Sequence, residues 1–209
     1  MMAKRLLSVL LALVITIILV GFFLPREVLV QRSITIDTSQ ETAFEVFNDL
    51  AYFNAWSPWF ARRPDASYRL EGPPQGPGAA LVWTDGLGAG EGGDEPSGGE
   101  AGRLRISSNR PPERVDLSME LGETESEQVL QIEPAETGVE VSWGMRMRFD
   151  TFDLTGRYIG LMLPSLVGGD LNRGLEQLKA FLEQSPGALP PRPEGVEPSD
   201  FPGAGTRQP

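Results

Sequence analysis

An apolar segment at the N-terminus constrains this chain more than any other feature. Residues 6–24 are apolar, with Ser8, Thr16 and Gly21 as the only interruptions. Wound as an α-helix, a segment of this length spans roughly 28 Å, which is close to the ~30 Å thickness of the hydrocarbon core of a bilayer. We therefore predict a transmembrane anchor over residues 1–25.

A cleaved signal peptide is the alternative interpretation of this segment. Its apolar region would cover about 7–15 residues and would end in a cleavage site of small residues. Here the segment is longer and ends in Phe22, Phe23, Leu24 and Pro25, which favours an uncleaved anchor. Lys4 and Arg5 precede the segment, and such positive charge favours a cytoplasmic N-terminus. The expected protein is a single-pass cell-membrane protein whose domain lies outside the cytoplasm, in the periplasm.

Two residue types are missing, and their absence removes whole classes of chemistry. The chain contains no histidine and no cysteine, which excludes thiol nucleophiles, disulfides, Ser-His-Asp triads and zinc clusters of the usual kind. We predict no metal and no cofactor. The net charge of −11 repels phosphate backbones, so nucleic acid is not an expected partner.

Alternating apolar and polar residues predict an antiparallel sheet with one solvated face. The clearest alternation runs from Val139 to Asp150, and a similar pattern covers Val28–Asp37, where Arg32 falls on the apolar face and suggests fraying. Shorter segments with the same pattern lie between them. They are residues 67–71, 78–85, 102–109, 113–121 and 126–133.

Three helical segments accompany the predicted sheet. Ser39 is a suitable N-cap for the first helix. The apolar stretch Leu154–Val167 is expected to cover the sheet, with Pro164 breaking or bending it. Asp170 is expected to cap a final helix, whose leucines recur at helical spacing; these are Leu171, Leu175, Leu178 and Leu182.

Composition divides the rest of the chain. One soluble domain is predicted over residues 26–184, directly after the anchor. Within it, residues 86–102 are rich in glycine and acidic side chains, so we expect a mobile hairpin insertion. Residues 185–209 are rich in proline and glycine, which predicts a disordered or polyproline tail.

Several short motifs, in this order, resemble the polyketide cyclase/dehydrase and lipid-transport family of the START-like (SRPBCC, Bet v 1-like) superfamily, in its membrane-anchored bacterial form. Each motif is short, and the resemblance depends on their collinear order between Val28 and Glu183. The motifs are Arg32-Ser33-Ile34-Thr35-Ile36, Glu41-x-x-Phe44-x-x-Phe47, Trp56-Ser57-Pro58-Trp59, Gly72-Pro73, Gly76-x-Gly78, Trp83, Pro112-x-Arg114-Val115 and Gly168-x-Asp170-x3-Gly174-Leu175-x2-Leu178-Lys179.

The resemblance implies an α+β helix-grip fold, in which a curved antiparallel sheet of about seven strands wraps a long C-terminal helix. It also implies that the space between sheet and helix binds a hydrophobic small molecule or lipid. Inward positions of the strands and of the covering helix are then the expected cavity lining. They are Trp83, Leu117, Met119, Trp143, Met145, Met147, Phe149, Tyr158 and Met162.

Other interpretations of these residues stay open at this stage. The lining residues are also consistent with a filled core, and then the domain would be a structural or regulatory interaction module at the membrane, with a neighbouring membrane protein as one candidate partner. Trp56 and Trp59 would plug one end of the barrel or form an aromatic belt at the headgroups. A cyclase- or dehydratase-like enzyme comes third, with Asp85, Arg157 and Tyr158 as candidate groups. Asp85 and Arg157 are expected at the surface, and no paired inward carboxylates are evident.

Overall fold

The computed structural model of the chain describes residues 2–60, 66–84, 100–122, 124–185, 188–193 and 197–198. Its helices are α1 (Met2–Phe23), α2 (Gln40–Asn48), α3 (Phe53–Trp56), α4 (Leu154–Gly160) and α5 (Leu163–Glu183), with a 3-10 turn at Leu50–Tyr52. Its strands are β1 (Glu27–Ile36), β2 (Ser67–Glu71), β3 (Ala80–Thr84), β4 (Glu100–Arg110), β5 (Arg114–Leu121), β6 (Thr124–Pro134), β7 (Val139–Arg148) and β8 (Glu197–Pro198).

The described strands form one sheet in the order β1-β7-β6-β5-β4-β3-β2-β8. Neighbouring strands from β1 to β2 are antiparallel, and only the two-residue β8 pairs in parallel, with β2. Helix α5 packs along β1 and also contacts β7 and α3. The sheet and its long C-terminal helix confirm the predicted α+β helix-grip fold.

The core lies between the sheet and α5. The leucines Leu171, Leu175, Leu178 and Leu182 of α5 are all buried, as their spacing predicts. On the sheet, β4 buries Leu104 and Ile106 on its inner face, also as predicted. Ser39 caps α2, because its side chain accepts a hydrogen bond from the backbone N–H of Thr42.

The start of α5 differs from the prediction. Pro164 does not break a helix; it lies in the first turn of α5, where a missing N–H costs nothing. Asp170 is not an N-cap, since α5 continues through Gly168 and Gly169 and leaves Asp170 buried within the helix. There its carboxylate lies 3.5 Å from the guanidinium of Arg173.

Arg32 does not fray β1. The strand is continuous from Glu27 to Ile36, and Arg32 pairs with Trp143 of β7. Its guanidinium reaches over Gly168 of α5, where a Cβ atom would overlap it. The glycine therefore makes room for a charged side chain on an otherwise apolar face.

The described part of the C-terminal tail, for which the sequence suggests a disordered or extended polyproline segment, lies against the domain. The hydroxyl of Tyr52 donates to the carbonyl of Pro190 at 3.2 Å, and Arg192 forms an ion pair with Asp49. Burial and the nearby Asp49 carboxylate raise the pKa of Tyr52 above its ordinary value. The predicted insertion at residues 86–102 lies outside the described residues, except for its last three, which belong to β4.

Candidate functional site: an apolar cavity at one end of the sheet

A cavity of about 190 Å³ lies between three central strands and the segment that follows α2. Its volume is similar to that of a ~150 Å³ apolar protein cavity known to hold benzene, and it is below the ~300 Å³ typical of drug-sized pockets. The lining is almost wholly aromatic and aliphatic. It consists of Phe53, Trp59, Phe60, Tyr68, Leu81, Trp83, Leu104, Met119 and Leu121.

One wall of the cavity is a row of paired residues on β3, β4 and β5. Leu81 pairs with Leu104, and Leu104 pairs with Met119. Beside this row the indole of Trp83 lies over Gly102, so that a Cβ atom there would overlap the ring. A side chain at position 102 would displace the ring of Trp83 from the cavity wall, which explains why this position is a glycine.

Aromatic rings form the opposite wall. Phe60 stacks on Tyr68 with ring centroids 3.9 Å apart. Trp59 packs edge-on against Trp143 at 5.2 Å, and Trp56 packs against the same ring at 5.1 Å. Both tryptophans therefore point inward, as the plug interpretation expected, and Trp59 lines the cavity while Trp56 belongs to the core.

The buried side-chain amide of Gln128, on the neighbouring strand β6, fixes the side chains of Met119 and Trp143. Gln128 is fully buried; its Oε1 accepts a hydrogen bond from Trp143 Nε1 at 3.0 Å. Its Nε2 donates to the sulfur of Met119, also at 3.0 Å. Since both ends of the amide are paired, its burial is tolerated, and it holds Met119 in place at the cavity wall.

Seven of the nine predicted lining residues separate into three groups in the structure. Only Trp83 and Met119 line the cavity. Three others fill the core outside it and are buried: Leu117, Trp143 and Met145. Met147 and Phe149 are partly buried and pack against that core.

The last two predicted residues lie elsewhere, because α4 does not cover the sheet. The hydroxyl of Tyr158 donates to the backbone carbonyl of Ile17 in α1 at 2.6 Å, and Met162 is exposed. Arg157, expected at the surface, is instead buried between α1 and α4. The candidate group Asp85 lies outside the described residues.

Sequence reasoning missed several residues of the site. Leu81, Leu104 and Leu121 stand in the strand pattern on inward positions, and Gln128 shares the parity of the inward Leu130. Strand parity was therefore the available signal for these four. The same signal was available for Tyr68, which alternates with Leu70 on β2 and pairs with Trp83 of β3. For Phe53 and Phe60 the sequence carries no comparable signal, because their positions depend on how the segment after α2 folds back.

Strand register places the cavity at a defined end of the sheet. Met119 pairs with Ser126, Ser126 with Met147, and Met147 with Val28. Val28 is the second residue of β1, which begins shortly after the end of α1 at Phe23. The cavity therefore lies at the end of the sheet from which α1 extends.

On the outer face, the same end of the sheet carries a cluster of charges. Arg146 and Arg148 both pair with Glu27 and Glu127 across three strands. Hydrogen bonds to Glu27 and Glu127 raise the pKa of Arg148 above its ordinary value. The cavity lining itself contains no carboxylate and no basic side chain among the residues that the structure describes.

Comparison with protein-family models gives a match over residues 27–183, to the family described as polyketide cyclase/dehydrase and lipid transport. No match to the chain was found among curated proteins. Among solved structures, a protein of unknown function from Staphylococcus aureus matches with 14% identity and a TM-score of 0.52, covering 76% of this chain and 94% of that one.

A second structural match is the di-domain ARO/CYC StfQ of the steffimycin biosynthetic pathway. It shows 13% identity and a TM-score of 0.51, and the match covers 76% of this chain and 51% of that one. At such identities the likeness to both structures shows the fold alone.

Proposed function

Because the chain belongs to the polyketide cyclase/dehydrase and lipid-transport family, we propose that it binds a hydrophobic small molecule or an acyl chain in the cavity between β3–β5 and the Trp59–Phe60 segment. The observation that supports this best is the composition of the lining, in which nine aromatic and aliphatic residues surround a space of about 190 Å³. An apolar group that fills this space removes apolar surface from water, which gains free energy. Its size suits one ring or the end of a chain.

The described lining offers no pair of acid and base, so binding fits the geometry better than catalysis. A filled, ligand-free interaction module is the competing proposal. The core next to the cavity supports that alternative in part, because Met145 and Trp143 are already packed there. The two proposals predict different ligand occupancies for a variant in which a larger side chain fills the cavity.

Met119→Trp is expected to lower the occupancy of co-purified lipid at least tenfold, which corresponds to about 1.4 kcal/mol of binding free energy. The larger side chain would occupy the cavity that Met119 now borders. Native mass spectrometry of the full chain, purified in mild detergent, measures the bound mass.

Met147→Trp is the matched control for this substitution. Met147 is also a partly buried methionine and lies in the same row across the sheet, but it does not line the cavity. Its variant should keep the wild-type lipid occupancy. Equal occupancy in wild type, Met119→Trp and Met147→Trp would reject the cavity as the binding site and favour the interaction module.

We also propose that α1 anchors the domain in a membrane. Among the described residues, one helix is long and apolar enough to span a bilayer; it covers Lys4–Phe23, with a mean hydropathy of 3.0 and only 6% of its residues buried. A signal sequence would share these properties. Contacts between the C-terminal part of α1 and the domain, through Tyr158 and Arg157, favour a helix that is retained.

The domain is proposed to lie on the outer side of the membrane, because Lys4 and Arg5 precede the span. Since the chain has no cysteine, single-cysteine variants report topology cleanly. In intact cells with a permeabilised outer membrane, a membrane-impermeant maleimide should label Glu136→Cys, and it should label Ala3→Cys only after lysis. The reverse pattern would place the domain in the cytoplasm.

A further inference from the structure

Helix α4 and the start of α5 form an elbow whose outer surface is apolar; we define the elbow as residues 154–166. Its exposed side chains are Ile159, Leu161, Met162 and Leu166, and Phe152 lies shortly before it; each of the five is more than half exposed. From Leu154 to Gly169 the only charged residue is Arg157, and that side chain is 1% exposed. An exposed apolar patch without charge marks a surface that is covered in the working protein.

The contacts of α4 show where this patch lies relative to α1. The side chain of Leu154 lies against Gly21, and the hydroxyl of Tyr158 bonds to the carbonyl of Ile17. Helix α4 therefore lies beside the last two turns of α1, while its glycines Gly156 and Gly160 lie against Phe149 and Val28 at the start of the sheet. Because a helix rises ~1.5 Å per residue, the level of Ile17 lies about 9 Å before the end of α1 at Phe23.

The elbow turns close to these last turns of α1, where Phe152 also packs edge-on against Phe22. Leu161 and Met162 form the turn between the two helices, and they follow Tyr158 in the chain. Charged groups start on the other side of α4, where Arg26, Glu27, Asp150 and Asp153 line a common surface recess. The surface of the molecule is thus apolar beside α1 and charged next to it, at the start of the sheet.

The one charged side chain in the elbow is buried, and its hydrogen bonds are made within the protein. The guanidinium of Arg157 donates to the carbonyls of Gly21 and Phe22 at 3.4 and 3.3 Å, and to those of Asp150 and Thr151 at 3.2 and 2.8 Å. The first two belong to the last turn of α1, where carbonyls lack helical partners and the helix dipole is negative. The elbow can therefore enter a medium of low dielectric constant without exposing a charge.

From this geometry we infer that the elbow inserts into the acyl-chain region of the same bilayer that α1 spans, as a second membrane contact. The inference rests on the proposed membrane anchor. The occupant of the apolar surface is lipid, since the surface is continuous with α1 and lies at its depth. Insertion fixes the orientation of the domain and holds the cavity end of the sheet at the headgroups.

The test uses the full chain, reconstituted alone into phosphatidylcholine vesicles that contain lipids with a nitroxide on the acyl chain. Met162→Cys carries an environment-sensitive fluorophore; because Met162 is exposed, the substitution should not disturb packing. Leu161→Cys is a second variant of the elbow. Leu19→Cys in α1 serves as the reference for the bilayer interior, and Glu136→Cys on the domain serves as the reference for solvent.

We expect nitroxide lipids to quench the elbow variants as strongly as Leu19→Cys, while Glu136→Cys stays unquenched. If Leu19→Cys is quenched and both elbow variants behave like Glu136→Cys, the insertion is refuted and the anchor stands. If Leu19→Cys is unquenched as well, the anchor and the insertion both fail. Disulfide-linked dimers through Leu161→Cys or Met162→Cys, without lipid quenching, would assign the surface to a second copy and overturn the inference.

Discussion

Trp143→Ala is expected to lower the free energy of unfolding by about 3–5 kcal/mol, the usual range for removing a large buried aromatic side chain. Trp143 is fully buried and packs against the rings of Trp56 and Trp59. Its loss leaves a cavity between the sheet and α5. Urea-induced loss of the circular-dichroism signal of the full chain in mild detergent measures the change.

The lost packing of the ring and the lost hydrogen bond to Gln128 both contribute to this decrease in unfolding free energy, and a second variant separates them. Trp143→Phe keeps a ring but removes the N–H that Gln128 Oε1 accepts. It should therefore cost about 1–3 kcal/mol, which is the penalty for a buried acceptor left without a partner. A Trp143→Phe variant as stable as wild type would show that the bond to Gln128 contributes nothing.

A double-mutant cycle with Gly174 tests the packing itself. A Cβ at Gly174 would lie 2.6 Å from Cζ3 of Trp143, whereas Gly169 on the same helix has nothing within 4 Å. Gly174→Ala should cost about 1–3 kcal/mol, and Gly169→Ala should be neutral or stabilising by up to ~1 kcal/mol. In the Trp143→Ala background the cost of Gly174→Ala should fall, with a remainder from Pro58 Cδ, which would lie 3.0 Å from the added Cβ; additive costs would contradict the proposed contact with Trp143.

The alternation of apolar residues predicts the sheet well, but it does not predict where the sheet leaves space. Met119 and Met145 are both inward-facing methionines, yet Met119 borders the cavity and Met145 lies in the filled core. The difference comes from α5, which packs along β1 and touches β7. Further along the sheet, β3–β5 are covered by aromatic rings that leave a gap. Strand periodicity predicts which side chains point to the inner face of the sheet. It carries no information about how far a helix reaches across that face.

The apolar stretch after β7 illustrates a second limit. Its composition and length predicted a helix that covers the sheet, and α4 is indeed helical. Its partner, however, is α1, as the bond between Tyr158 and Ile17 shows. Apolar spacing indicates that a helix buries one face, but the partner depends on tertiary geometry. The same limit applies to Arg157. An arginine is rarely buried without a partner, so the sequence predicts a surface position. In the structure its partners are backbone carbonyls, which the sequence pattern does not reveal.

Arg157 connects the proposed anchor with the domain, so its removal should loosen that connection. Arg157→Met keeps the length of the side chain and removes the guanidinium, which serves four carbonyls of α1 and of the segment after β7. We expect a loss of at least about 1.5–3 kcal/mol in unfolding free energy, the contribution of one hydrogen bond to a charged group. Denaturation of the full chain in mild detergent measures this loss.

Proteolysis separates loosening at the junction from general destabilisation. Arg26 is exposed and lies between α1 and β1, so trypsin cleavage there should become faster in Arg157→Met than in wild type. Arg157→Lys keeps the charge but lacks the planar fork that reaches several carbonyls at once, and it should give an intermediate rate. Arg173→Met removes a half-exposed side chain that pairs with the buried Asp170; it serves as a control for general destabilisation and should leave cleavage at Arg26 unchanged. If Arg157→Met and Arg173→Met give the same cleavage rate at Arg26, Arg157 does not hold α1 to the domain.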